Sequence, residues 1–325
     1  MSDRASLAGM DVLVTGGAGF VGSHLVLRLL EAQAQVRVVV QPGAPLGALE
    51  RHMGRVQVAE ADLTEPESVA RALHADRAAI VFHLAAWTAG RSRVADPEAW
   101  RTSFRVNLEG TMNLLTAMVA RGGTLPRVVR TGGMEEYGDG PVPFREDQRE
   151  RAVSPYSASQ AAATQASHAF ASHASLPLVT LRPSLIYGPG QDRSFFLPSL
   201  IQSCLEGRDF AMTSGEQTVD FVYVDDVVEA LIRASLAEGA AGEILNAGSG
   251  REIAVGTLAE LVVHRTGTSA RLQRGARAER AGESPRRFMD VAKAQRLLDW
   301  RASTSLEDGL DQTIESHRLG HPPSA

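Results

Sequence analysis

Asp11-Val12-Leu13-Val14-Thr15-Gly16-Gly17-Ala18-Gly19-Phe20-Val21-Gly22-Ser23-His24-Leu25 decides how the rest of the chain is read. The apolar run Val12 to Val14 has the length of a buried parallel strand, and Val26, Leu29 and Leu30 follow the glycines at helical spacing. Gly16, Gly19 and Gly22 recur every third residue. One glycine permits the sharp turn, one lets backbone approach a pyrophosphate, and one lets the helix pack on the strand. The free N–H groups of the helix N-terminus, around Phe20 and Val21, then face the anion. Strand before and helix after is the context that such a spacing requires.

Strand and helix signals keep alternating outward from this turn. Strands are expected at Val36–Val40, Val56–Val58, Ala79–Leu84, Arg127–Thr131, Leu178–Arg182 and Gly242–Ala247. Helices are expected at about Pro66–Leu73, Trp100–Arg121, Tyr156–His173 and Phe195–Leu205. Phe221–Val224 reads as a short strand, with Asp225 capping a helix through Leu236. The pattern predicts an α/β fold: a Rossmann-type, doubly wound parallel sheet with a smaller C-terminal substrate-binding lobe. Residues 1–187, with returning segments about 221–250, form the dinucleotide-binding part; 188–220 and 251–325 form the lobe.

Composition narrows the partners. A formal net charge of -5 with no dominant Lys/Arg run argues against nucleic acid and anionic membrane. No apolar run reaches the roughly 20 residues of a membrane helix, and the polar start, Met1 to Gly9, does not read as a signal peptide. One cysteine, Cys204, builds neither a disulfide framework nor a zinc site; it reads as a small core residue, and a cytoplasmic setting and no metal site are expected.

Ligands of such sheets sit beyond the carboxyl ends of the strands. At the end of the second strand, an acidic side chain would bind the adenosine ribose diol and repel a 2′-phosphate. Gln41, Pro42 and Gly43 stand there instead, so NADP is admitted and favoured, with NAD not excluded. Asp62, next to Leu63, either reaches an adenine amino group or caps the following turn.

The segments Val14–Gly22, Ala61–Leu63, His83-Leu84-Ala85-Ala86, Val106–Thr111 with Asn107, Glu136-Tyr137-Gly138, Ser154–Ser159, Leu181-Arg182-Pro183 through Gly190, and Asp220–Val227 occur in an order that resembles extended short-chain dehydrogenases/reductases. The resemblance is to the branch that modifies nucleotide-linked sugars: 4-epimerases, 4,6-dehydratases and 4-ketoreductases. It implies a nucleotide-sugar substrate, a homodimer built on the helices near Asn107–Ala120 and Tyr156–His173, and NADP or NAD held by Gly16, Gly19, Phe20, Val21, Gly22, Gln41, Asp62, Leu63, Leu84, Ala85, Ala86, Asn107, Tyr156, Gln160 and Pro183. Trp87, Gly133, Met134 and Arg280 would face the substrate, Arg280 toward a diphosphate.

The catalytic pattern departs from that family. Tyr156 keeps the acid/base position, but Gln160 stands where a lysine is expected and Gly133 where Ser or Thr is expected. An ammonium beside a phenol favours the phenolate; an amide brings no charge. Thr131 lies two residues before Gly133, on the same strand face about 7 Å back, and offers a hydroxyl. Glu135 matches a dehydratase carboxylate that removes a proton α to a ketone, or is a solvated loop residue. His83, at a strand end, is expected to be structural. Ketoreduction or epimerisation at carbon 4 is the leading expectation. A site repurposed for proton transfer, dehydration or cyclisation, or a non-catalytic dinucleotide binder, stands beside it.

Overall fold

The computed structural model describes residues 6–74, 77–278 and 284–320. A seven-stranded sheet runs through the molecule. In chain order its strands are β1 (Asp11–Thr15), β2 (Gln35–Val40), β3 (Val56–Glu60), β4 (Ile80–His83), β5 (Arg127–Thr131) and β6 (Leu178–Pro183). Two segments outside it follow, β7 (Leu185–Tyr187) and β8 (Phe221–Tyr223), which pair with each other in parallel. β9 (Ile244–Ala247) then returns to the sheet beside β6. The spatial order is β9-β6-β5-β4-β1-β2-β3, and every pairing in it is parallel.

The chain leaves β1 toward β2 and β3, then crosses back to place β4 on the other side of β1. That reversal opens a crevice at the carboxyl ends of β1 and β4, where Thr15 pairs with His83. The crossover helices bury apolar stripes on the sheet. α1 (Phe20–Glu31) buries Leu25, Val26, Leu29 and Leu30 against Val12, Val14, Val36 and Val38. α2 (Pro66–Leu73) buries Val69 and Leu73 on the opposite face with Leu13, Val39 and Val81.

The long helix expected from Trp100 to Arg121 is present as α3 (Pro97–Ser103) and α4 (Gly110–Ala120), joined by the wider π-helical turn Phe104–Glu109. That turn aims Asn107 inward. α5 (Pro155–Ala174) starts where Ser154 accepts a hydrogen bond from the Ser157 N–H at 3.1 Å, with Pro155 at its first position. Tyr156, Gln160, Ala163, Thr164, Ser167 and Ala171 make its buried stripe.

A second core of Leu197, Leu200, Ile201, Cys204, Phe210, Leu258 and Val262 gathers α6 (Phe196–Leu205), α7 (Val224–Leu236) and α8 (Val255–Thr266) around Tyr187 and Tyr223. The expected cap of α7 is not made by Asp225, because the chain enters the helix two residues earlier, after Tyr223. Asp225 instead accepts from His24 Nδ1 at 2.9 Å, and Asp226 ties down the N–H groups of Ser303 and Thr304. Among the described residues no helix is long and apolar enough to cross a membrane, and no three His, Cys, Asp or Glu side chains converge as metal ligands.

Candidate functional site

The crevice begins with the glycine turn. Gly16 has φ +71°, and a Cβ there would lie 2.7 Å from the Ala85 nitrogen, so the loop leaving β4 runs hard against the turn. A Cβ on Gly22 would lie 2.1 Å from the Gly16 oxygen, which is how close α1 comes to the end of β1. Gly19 precedes α1 and gives no side-chain cap, so the N–H groups of Phe20, Val21 and Gly22 keep their capacity for an anion. These features fit the pyrophosphate of a dinucleotide.

The flanks are mixed. Gln41 is exposed at the end of β2, followed by the exposed Pro42 and Gly43. Asp62 Oδ1 accepts from both the N–H (2.9 Å) and the hydroxyl (2.8 Å) of Thr64, so this carboxylate braces its own turn. Leu63 sits under Gly110, where a Cβ would come within 3.2 Å. Leu84, Ala85 and Ala86 are half-buried on the loop beyond β4, and Pro183 is buried at the end of β6. Asn107 holds that loop: its amide accepts from the Trp87 N–H at 2.6 Å and donates to the Trp87 carbonyl (3.2 Å) and to Ser159 Oγ (2.9 Å).

His83 lies between Thr15 Oγ1 (2.7 Å) and Thr111 Oγ1 (2.8 Å), 2% exposed. Burial, with Arg130 nearby, pushes its imidazole down to about 3, so it is neutral at ordinary pH and ties β1 to α4. Thr131 Oγ1 donates to the His83 carbonyl at 3.3 Å, which already engages its hydroxyl proton.

Three side chains from different elements meet over the start of α5. Tyr156 is 4% exposed. Arg91, on the short 3-10 turn after β4, lays its guanidinium 4.2 Å from the Tyr156 ring centre and donates to Glu135 Oε1 at 3.2 Å. A Cβ on Gly133 would lie 2.7 Å from Glu135 Oε2. The Glu135 carboxylate therefore fills the space that a side chain at 133 would claim. Burial raises the Tyr156 phenol above its ordinary value; Arg91 and then Arg130 oppose the rise, whereas Glu135 and Glu136 add to it.

Beneath this layer lies a buried polar cluster. Glu136 Oε2 accepts from Arg182 Nε (2.9 Å), Arg182 Nη2 (2.6 Å) and Thr164 Oγ1 (2.9 Å), while Oε1 accepts from the Gly133 N–H (3.0 Å). Arg182 also reaches Glu150 at 2.7 Å. Arg130 donates to Thr164 Oγ1 (2.8 Å) and to Gln160 Oε1.

The structure thus brings Tyr156, Gln160, Gly133 and Glu135 together. Met134, expected on the substrate side, is 1% exposed and packs in the second core with Tyr137 and Phe144, because the 3-10 turn Met134–Tyr137 points it inward. Arg280 lies outside the described residues. Arg91, Arg130, Glu136 and Arg182 were not singled out as site residues from the sequence. Arg130 carried a signal: an arginine directly after the apolar pair Val128-Val129 in the strand Arg127–Thr131.

A model of the NAD dependent epimerase/dehydratase family matches residues 12–248. The chain is 30% identical over 319 residues to a UDP-glucose 4-epimerase of Mycolicibacterium smegmatis, covering 95% of this chain and 99% of that one. It is 29% identical to a dTDP-glucose 4,6-dehydratase of Salmonella typhimurium, with 94% and 92% covered. Among solved structures, MoeE5 in complex with UDP-glucose and NAD superposes with a TM-score of 0.83 at 31% identity, covering 95% and 99%.

Proposed function

Since the chain belongs to the NAD dependent epimerase/dehydratase family, we propose that it modifies a nucleotide-activated deoxysugar at carbon 4, and that 4-ketoreduction is its reaction. The observation that carries this is the buried phenol of Tyr156, enclosed by Arg91 and Glu135, with neutral Gln160 one helical turn behind it. A raised phenol keeps its proton at neutral pH. It suits donation to an oxygen that gains negative charge as a carbonyl is reduced, whereas an oxidation would need the phenolate first. A bound nicotinamide dinucleotide supplies the hydride.

The glycine turn and the start of α1 would hold the pyrophosphate, and the Gln160 amide a ribose hydroxyl. With no carboxylate from Gln41 to Gly43, NADP is preferred over NAD. Trp87 and Arg280 are assigned to the sugar nucleotide, and the outer faces of α4 and α5 to a homodimer. Reduction with dinucleotide deuterated at the transferring position tests the reaction. Deuterium at sugar carbon 4 with net cofactor oxidation is expected; an inverted sugar without net oxidation would mean epimerisation.

A second reading rests on the Glu135 carboxylate in the space of the missing 133 side chain. There it removes a proton α to a ketone, and the chemistry is dehydration or proton transfer. Gly133→Ser, which pushes that carboxylate aside, separates the two. Faster reduction supports the first, and loss of an elimination activity supports the second.

A further inference from the structure

We propose that Arg130 is the relocated cation of this site, a positioning residue on β5 that brings to Tyr156, through Gln160, the positive charge a lysine at 160 would otherwise carry. The proposal rests on the reading of Tyr156 as the proton donor.

Arg130 is 2% exposed. Its Nη1 donates to Thr164 Oγ1 at 2.8 Å, and its Nη2 donates to the Gln160 backbone oxygen at 3.4 Å and to Gln160 Oε1. Among the described residues it forms no ion pair. Glu136, the nearby carboxylate, is committed elsewhere: one oxygen to Arg182 and Thr164, the other to the Gly133 N–H. A buried cation without a directly bonded anion is costly, and such groups gather where a field is used. Tyr156 and Gln160 are four residues apart and both buried on α5, so their side chains are neighbours on one helix face, and the charge of Arg130 acts on the phenol.

The amide is what Arg130 requires. An acceptor at 160 satisfies the guanidinium, whereas a lysine at 160 would set one buried cation against another. Gln160 and Arg130 therefore read as one exchange, with charge moved from helix to strand. Arg130 also fixes the Gln160 amide with its oxygen inward, which leaves the Nε2 donor for a ligand.

The groups that face Tyr156 are Arg91 from the loop after β4, Glu135 and Glu136 from the turn after β5, and Arg130 from β5. Those that face Arg130 are Glu136, Arg182 from β6 and Tyr156, and its charge also acts on His83 from β4 and on His168 from α5. Arg91 acts on the phenol from the loop side, so the test varies Arg130 with Arg91 intact.

The Tyr156 phenol is titrated by its ultraviolet phenolate band, taken as the difference between the full-length protein and Tyr156→Phe. Thermal melting of each variant is measured alongside. Arg130→Met is expected to raise the midpoint by about one pH unit or more. Gln160→Lys is expected to lower the melting temperature, and Arg130→Met/Gln160→Lys to return the midpoint to near the wild-type value. An unchanged midpoint in Arg130→Met would overturn the proposal, as would a double variant whose midpoint stays with that of Arg130→Met. Should Arg130→Met not fold, Arg130→Lys keeps the charge: a wild-type midpoint is expected, and a raised one contradicts the proposal. The phenol midpoint decides this even if no nucleotide sugar is turned over, an outcome that would count against the proposed reaction alone.

Discussion

The glycine turn and the corner around Tyr156 lie at the same end of the sheet but were built under different constraints. The turn is a matter of backbone clearance: Gly16 against Ala85, Gly22 against Gly16, each with no room for a single carbon. Its glycines recur every third residue. The corner is a matter of charge placement, and charge can enter from any neighbouring element. Arg91 comes from the loop after β4, Glu135 from the turn after β5, and Arg130 from β5 itself. Steric sites are held in sequence, while electrostatic sites are held in space.

The largest effect expected from breaking the corner is that of Tyr156→Phe. Removing the proton donor should lower single-turnover reduction about 10²- to 10⁴-fold, while dinucleotide binding, followed by nicotinamide fluorescence, stays within a few-fold of wild type. Breaking the turn should do the reverse. In Gly22→Ala the new Cβ meets the Gly16 oxygen at 2.1 Å, which only backbone movement relieves. The expected cost is near the upper end of the ~1–3 kcal/mol of overpacking, read as a lower denaturant midpoint together with weakened dinucleotide binding.

Asn107→Ala sharpens the comparison between the two regions, because Asn107 links the loop after β4 to α5. It leaves the Trp87 N–H and carbonyl without their amide partner. A loss of about 1 kcal/mol is expected from such half-buried groups, with the same denaturant measurement as readout. The most gradual effect is that of acid on His83. In the fold its imidazole stays neutral down to about 3, whereas the unfolded chain protonates near 6.5. Only the unfolded chain gains this proton as pH falls between those values. His83 therefore contributes in full above pH 6.5, and that contribution declines below it by at most about 1.4 kcal/mol per pH unit. Melting temperatures of the wild type and His83→Asn across this range should converge toward acid.

The sheet was legible because its strands carry short apolar runs and all but one of the crossovers contain a periodic helix. The π-helical turn at Phe104–Glu109 was not, since nothing in its residue types separates a five-residue hydrogen-bond step from a four-residue one. Nor was β7, which is as apolar as its neighbours but leaves the sheet to pair with β8. At the site, Tyr156, Gln160, Gly133 and Glu135 were legible from their places relative to strand and helix ends. Arg91 was not, because a loop arginine reads as a solvated charge until its guanidinium is seen over a ring. Arg130 fell between these cases: its place in a strand, next to Val128-Val129, was visible, but its partner Gln160 lies 30 residues on.

The most direct test of the central claim is single-turnover hydride transfer from NADPH to a nucleoside-diphosphate 4-keto-6-deoxysugar, followed by nicotinamide absorbance. Rapid oxidation of NADPH, abolished in Tyr156→Phe, is the predicted result. NADPH that binds tightly but is not oxidised in the presence of that sugar would contradict the assignment of Tyr156 as the proton donor of a 4-ketoreduction.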